Sequence, residues 1–189
     1  MKSTKIKSIF LTIAFFGMAL YANAQKSYAL DTKANFSVFG TSTLHDWEMK
    51  SVSGTGVANL TVTDSKVTNI NSLTVSLLTE SIKSGKNAMD KIAYETLKSG
   101  KNKTIKYVLK SAEKVNETTW NITGTYTIAG ASKELKTQIK ATVVNGGVVS
   151  IQGANKITFD EFGMTAPTAL FGTIKTGKEL TIKFNINFK

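Results

Sequence analysis

The chain has 189 residues and a formal net charge of +11, and it contains no cysteine and no arginine. The missing cysteines exclude a disulfide framework. The missing arginines weigh against nucleic-acid binding, which uses arginine for bidentate contacts with bases and phosphates. All 24 basic residues are lysines spread along the chain rather than gathered in one run, which favours a soluble lysine-rich surface. Attraction of this surface to anionic membranes or glycans stays open.

The first 24 residues have the three parts of a secretory signal peptide. The basic start contains Lys2, Lys5 and Lys7, and an apolar run follows over residues 9–20. Ala22-Asn23-Ala24 then offers small residues at the positions that signal peptidase reads. A retained anchor is the alternative, although the run is short for a bilayer span. We expect cleavage near Ala24, which removes three lysines and lowers the net charge from +11 to +8. The mature protein is then one domain, residues 25–189, in the periplasm or outside the cell.

The mature chain is a succession of segments in which large apolar residues alternate with polar ones. A period of two is typical of β-strands with one buried and one solvated face. The clearest segment is Leu180–Phe188, and similar ones precede it at 34–38, 47–62, 66–77, 104–110, 119–128, 135–143 and 149–159. Gly54 and Gly56 predict a bulge within the long segment 47–62. Asn145-Gly146-Gly147 is the strongest hairpin signal. These segments predict eight strands joined mostly by short connections.

One segment has helical spacing instead. Its apolar positions are Met89, Ile92, Ala93 and Leu97. Asp90 lies in the first turn and Gly100 follows as the expected C-cap, so the pattern predicts a short helix over about residues 87–98. Because this helix has a single apolar stripe, we expect it to pack on the sheet.

Eight consecutive antiparallel strands can close into a barrel, which removes the exposed edges and makes the first and last strands neighbours. The predicted fold class is therefore all-β, an antiparallel barrel with one helix packed on it. Such a barrel either fills its interior with side chains or holds one small ligand. The inward rows also contain small residues, which are Ala34, Gly124, Thr137, Ala141 and Gly153. They leave space but also suit the taper of a packed barrel, so the residues alone leave both interiors open.

Three groups of residues follow one another along the mature chain. The first contains Leu30-Asp31-Thr32, Phe36-Ser37-Val38 and Gly40–Trp47; the second is Trp120–Gly130 with Lys133-Glu134-Leu135; the third contains Phe162-Gly163-Met164, Pro167–Leu170 and Gly172–Leu180. Together they resemble the YceI-like family, the lipid- and polyisoprenoid-binding proteins of the bacterial envelope. The resemblance covers nearly all of the mature chain.

This resemblance implies an eight-stranded lipocalin-like barrel with a helix over one end and an elongated cavity. It implies non-catalytic binding, with transport or sequestration, of an isoprenoid quinone, a polyprenyl lipid or a fatty-acid-like lipid, and no cofactor besides such a ligand. The alternative is an envelope structural or stress-associated protein whose barrel is filled and holds no ligand. Many members carry a His-Ser pair where this chain has Lys33-Ala34-Asn35. The identity of the ligand therefore does not transfer with the resemblance.

The candidate ligand-binding residues are inward apolar side chains, lid residues and one histidine. The expected wall consists of Phe36, Val38, Leu73, Val75, Tyr107, Trp120, Ile122, Tyr126, Ile151, Phe159 and Phe184. The expected lid consists of Met89 and Ile92 on the helix and Phe162, Met164 and Phe171 in an irregular loop predicted over residues 161–171. Methionine suits a lid because its side chain adapts to a flexible tail. The alternative for each residue is an ordinary core position.

His45 is the only histidine of the chain. One histidine without cysteine is too few nitrogen and sulfur ligands for zinc, and no Gly-x-Ser-x-Gly elbow occurs, so neither a metal site nor a catalytic site is predicted. Two roles remain for His45: a turn residue whose ring hydrogen-bonds the backbone while Trp47 packs the barrel end, or a contact with the ligand head group. The expected partner is a hydrophobic small molecule, without nucleic acid. A transient contact with a membrane surface and a homodimer both stay open.

Overall fold

The computed structural model describes residues 25–189, and the predicted signal peptide lies outside the described residues. The strands are β1 (Gln25–Ala29), β2 (Asn35–Ser42), β3 (Trp47–Ser51), β4 (Thr55–Thr63), β5 (Lys66–Leu78), β6 (Thr104–Lys114), β7 (Thr119–Ile128), β8 (Ala131–Val144), β9 (Val148–Thr158), β10 (Thr168–Ala169) and β11 (Ile174–Phe188). The helix α1 (Asn87–Thr96) lies between β5 and β6. The all-β class with one short helix is confirmed, with eleven strands in place of the eight predicted.

Ten strands form one antiparallel ladder in the order β1-β4-β5-β6-β7-β8-β9-β11-β2-β3, and the short β10 pairs with β11. Most neighbours in the ladder are also neighbours in sequence, and short turns join them except between β5 and β6, where the connection contains α1. The predicted turn between β8 and β9 is one example, since Gly146 and Gly147 adopt φ values of 76° and 77°. Only glycine takes this left-handed conformation without steric cost.

The sheet curls until the two ends of the described chain meet at a seam. Leu30 pairs with Phe188 across this seam. Ala29 and Lys189 exchange two backbone hydrogen bonds of 2.8 and 2.9 Å. The ammonium group of Lys189 lies 3.1 Å from Oδ1 of Asp31, and its hydrogen bond lowers the pKa of that carboxyl group. The end of β1 and the end of β11 are therefore neighbours, as a closed barrel requires.

The segment 47–62 is two strands, which corrects the prediction of one bulged strand. β3 pairs with β2 at one edge of the ladder, while β4 pairs with β1 and β5 near the other. The break passes through Gly54, where an added Cβ would lie only 2.8 Å from the side chain of Leu77. Glycine therefore lets the chain cross beneath β5. A second bridge, between Lys50 and Lys83, ties the edge of β3 to the segment before α1.

Helix α1 ends earlier than expected. Its C-cap is Leu97, and Lys98 then takes the left-handed conformation with φ 54°. The ammonium group of Lys98 donates to the backbone carbonyl of Gly163 at 3.0 Å, which joins the end of the helix to the loop after β9. Gly100 is therefore not the C-cap.

Two hydrophobic clusters divide the interior of the barrel. The first cluster, called the packed half, lies beside the seam and is essentially sealed from solvent. Its members with 2% exposure or less are Ala34, Ala58, Leu60, Val67, Trp120, Ile122, Ile139, Ala141, Val149, Ile151 and Phe188. The second cluster, called the open half, lies toward α1 and comprises Tyr126, Ile128, Ala129, Ile157, Phe159, Phe162, Met164 and Leu180. Tyr107 packs against both clusters and marks the boundary between them.

We expect Gly124→Ala to destabilise the barrel. An added Cβ would lie 2.4 Å from the ring of Tyr107, which is confined between the two clusters. Overpacking of this kind lowers the free energy of unfolding by about 1–3 kcal/mol. The matched control is Gly100→Ala, because a Cβ there meets no atom within 4 Å. Urea denaturation measures both variants, and equal unfolding free energies would show that the Tyr107–Gly124 contact carries no constraint.

Candidate functional site

An apolar cavity of about 380 Å³ occupies the open half beneath helix α1. Pockets that hold small molecules have volumes of roughly 300–1,000 Å³, so this cavity falls within that range. Its apolar walls come from the strands, the helix and the loop after β9. They include Phe36, Val38, Trp47, Met49, Leu77, Ile82, Met89, Ile92, Ala93, Leu97, Ile105, Ile128, Ile157, Phe159, Met164, Leu180 and Ile182.

The last strand shows that the open half is hollow while the packed half is filled. Alternation points Leu180, Ile182, Ile186 and Phe188 toward the barrel axis. Phe188 is fully buried and Ile186 nearly so. Ile182 is only half-buried although it faces inward, and it lines the cavity. Its remaining exposure is therefore to the cavity rather than to the outer surface.

A layer of polar and aromatic groups, called the tyrosine layer, lies between the two halves and consists of Tyr107, Tyr126, Thr137 and Asn155. The two rings meet edge to face with centroids 4.8 Å apart. Oη of Tyr126 lies 3.2 Å from Oγ1 of Thr137, which also accepts a 2.8 Å hydrogen bond from Nδ2 of Asn155. Burial raises the pKa of both tyrosines above its usual value. Both phenols therefore stay neutral at physiological pH.

The hydroxyl group of Tyr107 is buried and has no hydrogen-bond partner among the described residues. Its ring instead lies against Gly124, where the absence of a side chain provides the room. A bulky ring therefore fits at this level, where it packs against both clusters.

Helix α1 forms the roof of the cavity with the apolar stripe that its sequence predicts. Met89, Ile92, Ala93 and Leu97 all line the cavity. The polar groups of the helix hold it in place. The buried carboxylate of Asp90 accepts hydrogen bonds from the backbone nitrogen of Ser84 (2.7 Å) and from its hydroxyl group (2.6 Å).

The turn between β2 and β3 forms part of the mouth. His45 is exposed there and belongs to the cavity lining. Its Nδ1 donates a 2.7 Å hydrogen bond to the backbone carbonyl of Asp46, and its own carbonyl accepts one from Oγ of Ser42, also at 2.7 Å. The ring thus makes the backbone contact expected of a turn histidine, and its position beside the cavity keeps a head-group contact available.

Trp47 packs the same end of the barrel, opposite Gly40 on the neighbouring strand. A Cβ at Gly40 would lie 2.1 Å from the indole ring, so glycine is required for this contact. The indole Nε1 donates a 3.0 Å hydrogen bond to the backbone carbonyl of Thr41. The rigid ring therefore supplies one wall of the cavity.

The structure separates the predicted ligand-binding residues by their level in the barrel. Those on the cavity lining are Phe36, Val38, His45, Met89, Ile92, Phe159 and Met164. Leu73, Val75, Trp120, Ile122 and Ile151 lie in the packed half, and Phe184 packs against it. Tyr107 and Tyr126 form the tyrosine layer, and Phe162 is fully buried away from the cavity. Phe171 is exposed at a hairpin tip.

Several cavity residues were not predicted. Ala93 and Leu97 share the helical stripe of Met89, and Leu180 and Ile182 share the alternating row of Phe184, so local periodicity could have included them. Trp47, Met49, Leu77, Ile82, Ile105, Ile128 and Ile157 come together only through the register of separate strands. Within residues 25–189, the structure has no grouping of three or more His, Cys, Asp or Glu side chains suited to a metal ion. No helix of this range has the length and apolarity needed to cross a membrane.

Comparisons with known proteins agree with this architecture. The profile of the YceI-like domain matches residues 28–188. BcnA of Burkholderia cenocepacia shares the fold with a TM-score of 0.70 and 16% identity, and the alignment covers 84% of this chain and 98% of that chain. A polyisoprenoid binding domain from Saccharophagus degradans implicated in plant cell wall breakdown has a TM-score of 0.68 and 10% identity, with 86% of this chain and 97% of that chain covered. The YCEI protein of Campylobacter jejuni has a TM-score of 0.57 and 15% identity, with 99% of this chain and 97% of that chain covered. No curated protein matches the chain in sequence.

We expect Asp90→Ala to loosen the roof of the cavity more than the rest of the fold. The substitution removes both hydrogen bonds from Ser84 and should lower the stability of α1 by about 1–2 kcal/mol. Native-state hydrogen exchange measures this as lost protection of the amides of residues 90–97, with strand amides less affected. Lys91→Ala, an exposed change on the same helix, is the control. Equal protection in the two variants would contradict the role given to Asp90.

Proposed function

Because the chain belongs to the YceI-like domain family, we propose that it binds a long hydrophobic amphiphile, an isoprenoid or fatty-acid-like lipid, without catalysis. The observation that carries this proposal is the apolar cavity of about 380 Å³ between α1 and the open half of the barrel. The polyisoprenoid binding domain from Saccharophagus degradans has the same fold, which supports a ligand of this class.

The lining selects for hydrocarbon. An apolar tail that leaves water for this cavity gains about 25 cal/mol for each Å² of buried apolar surface. A polar molecule placed there would exchange its hydrogen bonds with water for contacts with side chains such as Met89, Ile92 and Ile182, which offer none. The cavity therefore discriminates by hydrophobicity along the tail rather than by directed hydrogen bonds.

The depth of the cavity limits how much tail it can hold. Its lining contains no residue of the tyrosine layer and no buried member of the packed half, so we place the tail in the open half alone. If a methylene group occupies about the volume of a water molecule in the liquid, ~30 Å³, the cavity holds roughly a dozen carbon atoms. A longer isoprenoid would thus leave part of its chain at the mouth.

The mouth offers polar groups for a head group. Ser42, His45 and Lys86 belong to the cavity lining, and His45 and Lys86 are exposed. An ammonium group at this position suits an anionic head group such as a carboxylate or a phosphate. We therefore place the head group between the β2–β3 turn and the start of α1, with the tail directed toward Tyr107.

The biological role that we propose is transport or sequestration of this lipid after export of the protein to the periplasm or beyond the cell. A carrier needs to hold its ligand reversibly, and a cavity that is open at one end and apolar along its walls allows this. No catalytic group is required for such a role.

Filling the cavity should abolish tail binding. Ala93 lies on the roof and faces the cavity, so Ala93→Phe places a ring in the space of the tail. We expect the dissociation constant for a dansyl-labelled fatty acid to rise at least roughly tenfold, the effect of losing one to two buried apolar groups. Fluorescence titration of the purified protein measures it, followed by displacement with a polyprenol.

The matched control for this experiment is Ala154→Phe, which adds the same ring on the exposed outer face of β9. Its affinity should equal that of the unmodified protein. If Ala93→Phe and Ala154→Phe bind the probe equally well, the tail lies elsewhere. If the unmodified protein binds neither probe nor polyprenol, the proposed function is wrong.

A further inference from the structure

Three large apolar side chains stand exposed beside the mouth of the cavity. They are Leu44 on the β2–β3 turn and Leu170 and Phe171 on the β10–β11 turn, and together they are called the apolar rim. Their exposures are 66%, 68% and 111%. Exposed apolar residues that occur singly need no explanation, but a group of them beside a lipid-sized cavity indicates an interaction surface.

The backbone of the β10–β11 turn is strained although its two large apolar side chains are mostly exposed. Leu170 and Phe171 have φ values of 48° and 55°, and Gly172 follows with 88°. Turns with successive residues of positive φ usually carry Asn, Asp or Gly at these positions, because other side chains clash with the backbone there. Two backbone hydrogen bonds hold the turn, from Gly172 to Ala169 (3.1 Å) and from Thr173 to Leu170 (3.2 Å). Strain that does not serve packing is a mark of a functional segment.

The two turns form one continuous surface at the mouth. The backbone nitrogen of Thr43 donates to the carbonyl of Lys175 at 3.0 Å, and the backbone nitrogen of Lys175 donates to Oγ1 of Thr43 at 3.1 Å. Leu44 itself belongs to the cavity lining, as do residues 167–169 at the base of the other turn. A molecule that contacts the apolar rim therefore also reaches the cavity.

Charge at this surface is mainly positive. Lys86 lies on the cavity lining, and Lys175 lies at the start of β11, where it is joined to the β2–β3 turn; both side chains are exposed. The exposed carboxylate on the same turn is that of Asp46. Removal of the three lysines of the predicted signal peptide lowers the formal net charge from +11 to +8, so the exported protein also stays positive as a whole. The apolar side chains of the rim suit the acyl region of a bilayer, and the lysines beside them suit the anionic phosphates above it.

We propose that the apolar rim docks the protein on an anionic phospholipid bilayer. Leu44, Leu170 and Phe171 insert into the head-group region, while Lys86 and Lys175 face lipid phosphates. The mouth of the cavity then opens toward the bilayer, and the part of a tail that exceeds the cavity stays out of water. This last consequence rests on the proposed function, whereas the docking itself does not.

Flotation with phospholipid vesicles tests the docking. The unmodified protein should bind vesicles of phosphatidylcholine with phosphatidylglycerol, and more weakly those of phosphatidylcholine alone. Phe171→Asn and Leu170→Asn should each weaken binding roughly tenfold, because each removes one inserted apolar group. Asparagine tolerates the left-handed backbone, so thermal stability should be unchanged or higher. The control is Val115→Asn, an exposed apolar position on the β6–β7 turn beside the packed half.

A second measurement locates the inserted segment. Because the chain has no cysteine, Phe171→Cys and Val115→Cys can each carry one environment-sensitive dye. The emission of the dye at position 171 should shift to the blue on anionic vesicles, and that at position 115 should not.

The outcomes separate docking from lipid binding in the cavity. The Ala93→Phe variant should bind vesicles normally although it binds the fatty-acid probe more weakly. If the unmodified protein binds vesicles but no ligand in the cavity, the proposed function is wrong and the docking stands. Vesicle binding that is unchanged in both Phe171→Asn and Leu170→Asn would overturn the docking. A failure of the unmodified protein to bind vesicles would also overturn the docking. If the protein is then found to be a dimer that Phe171→Asn dissociates, the apolar rim is the contact surface for a second copy of the chain.

Discussion

The interior of this protein depends on one close contact, the ring of Tyr107 against the backbone of Gly124. Because Gly124 has no side chain, an aromatic ring can lie across the barrel axis and meet Tyr126 edge to face. On one side of this layer the inward rows interlock and exclude solvent. On the other side they face a cavity of about 380 Å³. A barrel of this size usually has a filled interior or a ligand cavity, and this one has both.

An unfilled apolar cavity lowers the free energy of unfolding, so some part of the structure must keep the cavity open. The roof does so, because polar contacts outside the cavity hold α1 in addition to the packing of Leu97 against the open half. Asp90 is bonded to Ser84, and the hydroxyl of Tyr94 donates to the carbonyl of Glu80 at 3.0 Å. These bonds fix the helix from outside the cavity, while its apolar stripe lines the cavity. The same arrangement leaves the mouth free on the side of the β2–β3 turn, where a ligand can pass.

Local patterns predicted the fold class and the helical roof, but not the level of each residue in the barrel. Phe188 and Leu180 belong to one alternating row, and alternation correctly places both inside. Only the pairing register shows that Phe188 lies opposite Val149 in the packed half and Leu180 opposite Ile157 in the open half. The break between β3 and β4 resembles a bulge in the sequence for a related reason. The buried positions change from odd numbers in β3 (Met49, Ser51) to even numbers in β4 (Ala58, Leu60), and a bulge also shifts alternation by one residue. The exposure of Phe171 was missed because it depends on a left-handed turn that its residue types do not favour.

In our proposal, the tail of a lipid lies in the open half, on the α1 side of the tyrosine layer. Intermolecular nuclear Overhauser effects between an unlabelled polyprenol or fatty acid and isotope-labelled methyl groups of the protein test it most directly. We expect contacts with Met89, Ile92 and Ile182, and none with Ile122 or Ile151, which are buried in the packed half. Contacts with Ile122 or Ile151, or a bound lipid that contacts none of the cavity methyl groups, would contradict it.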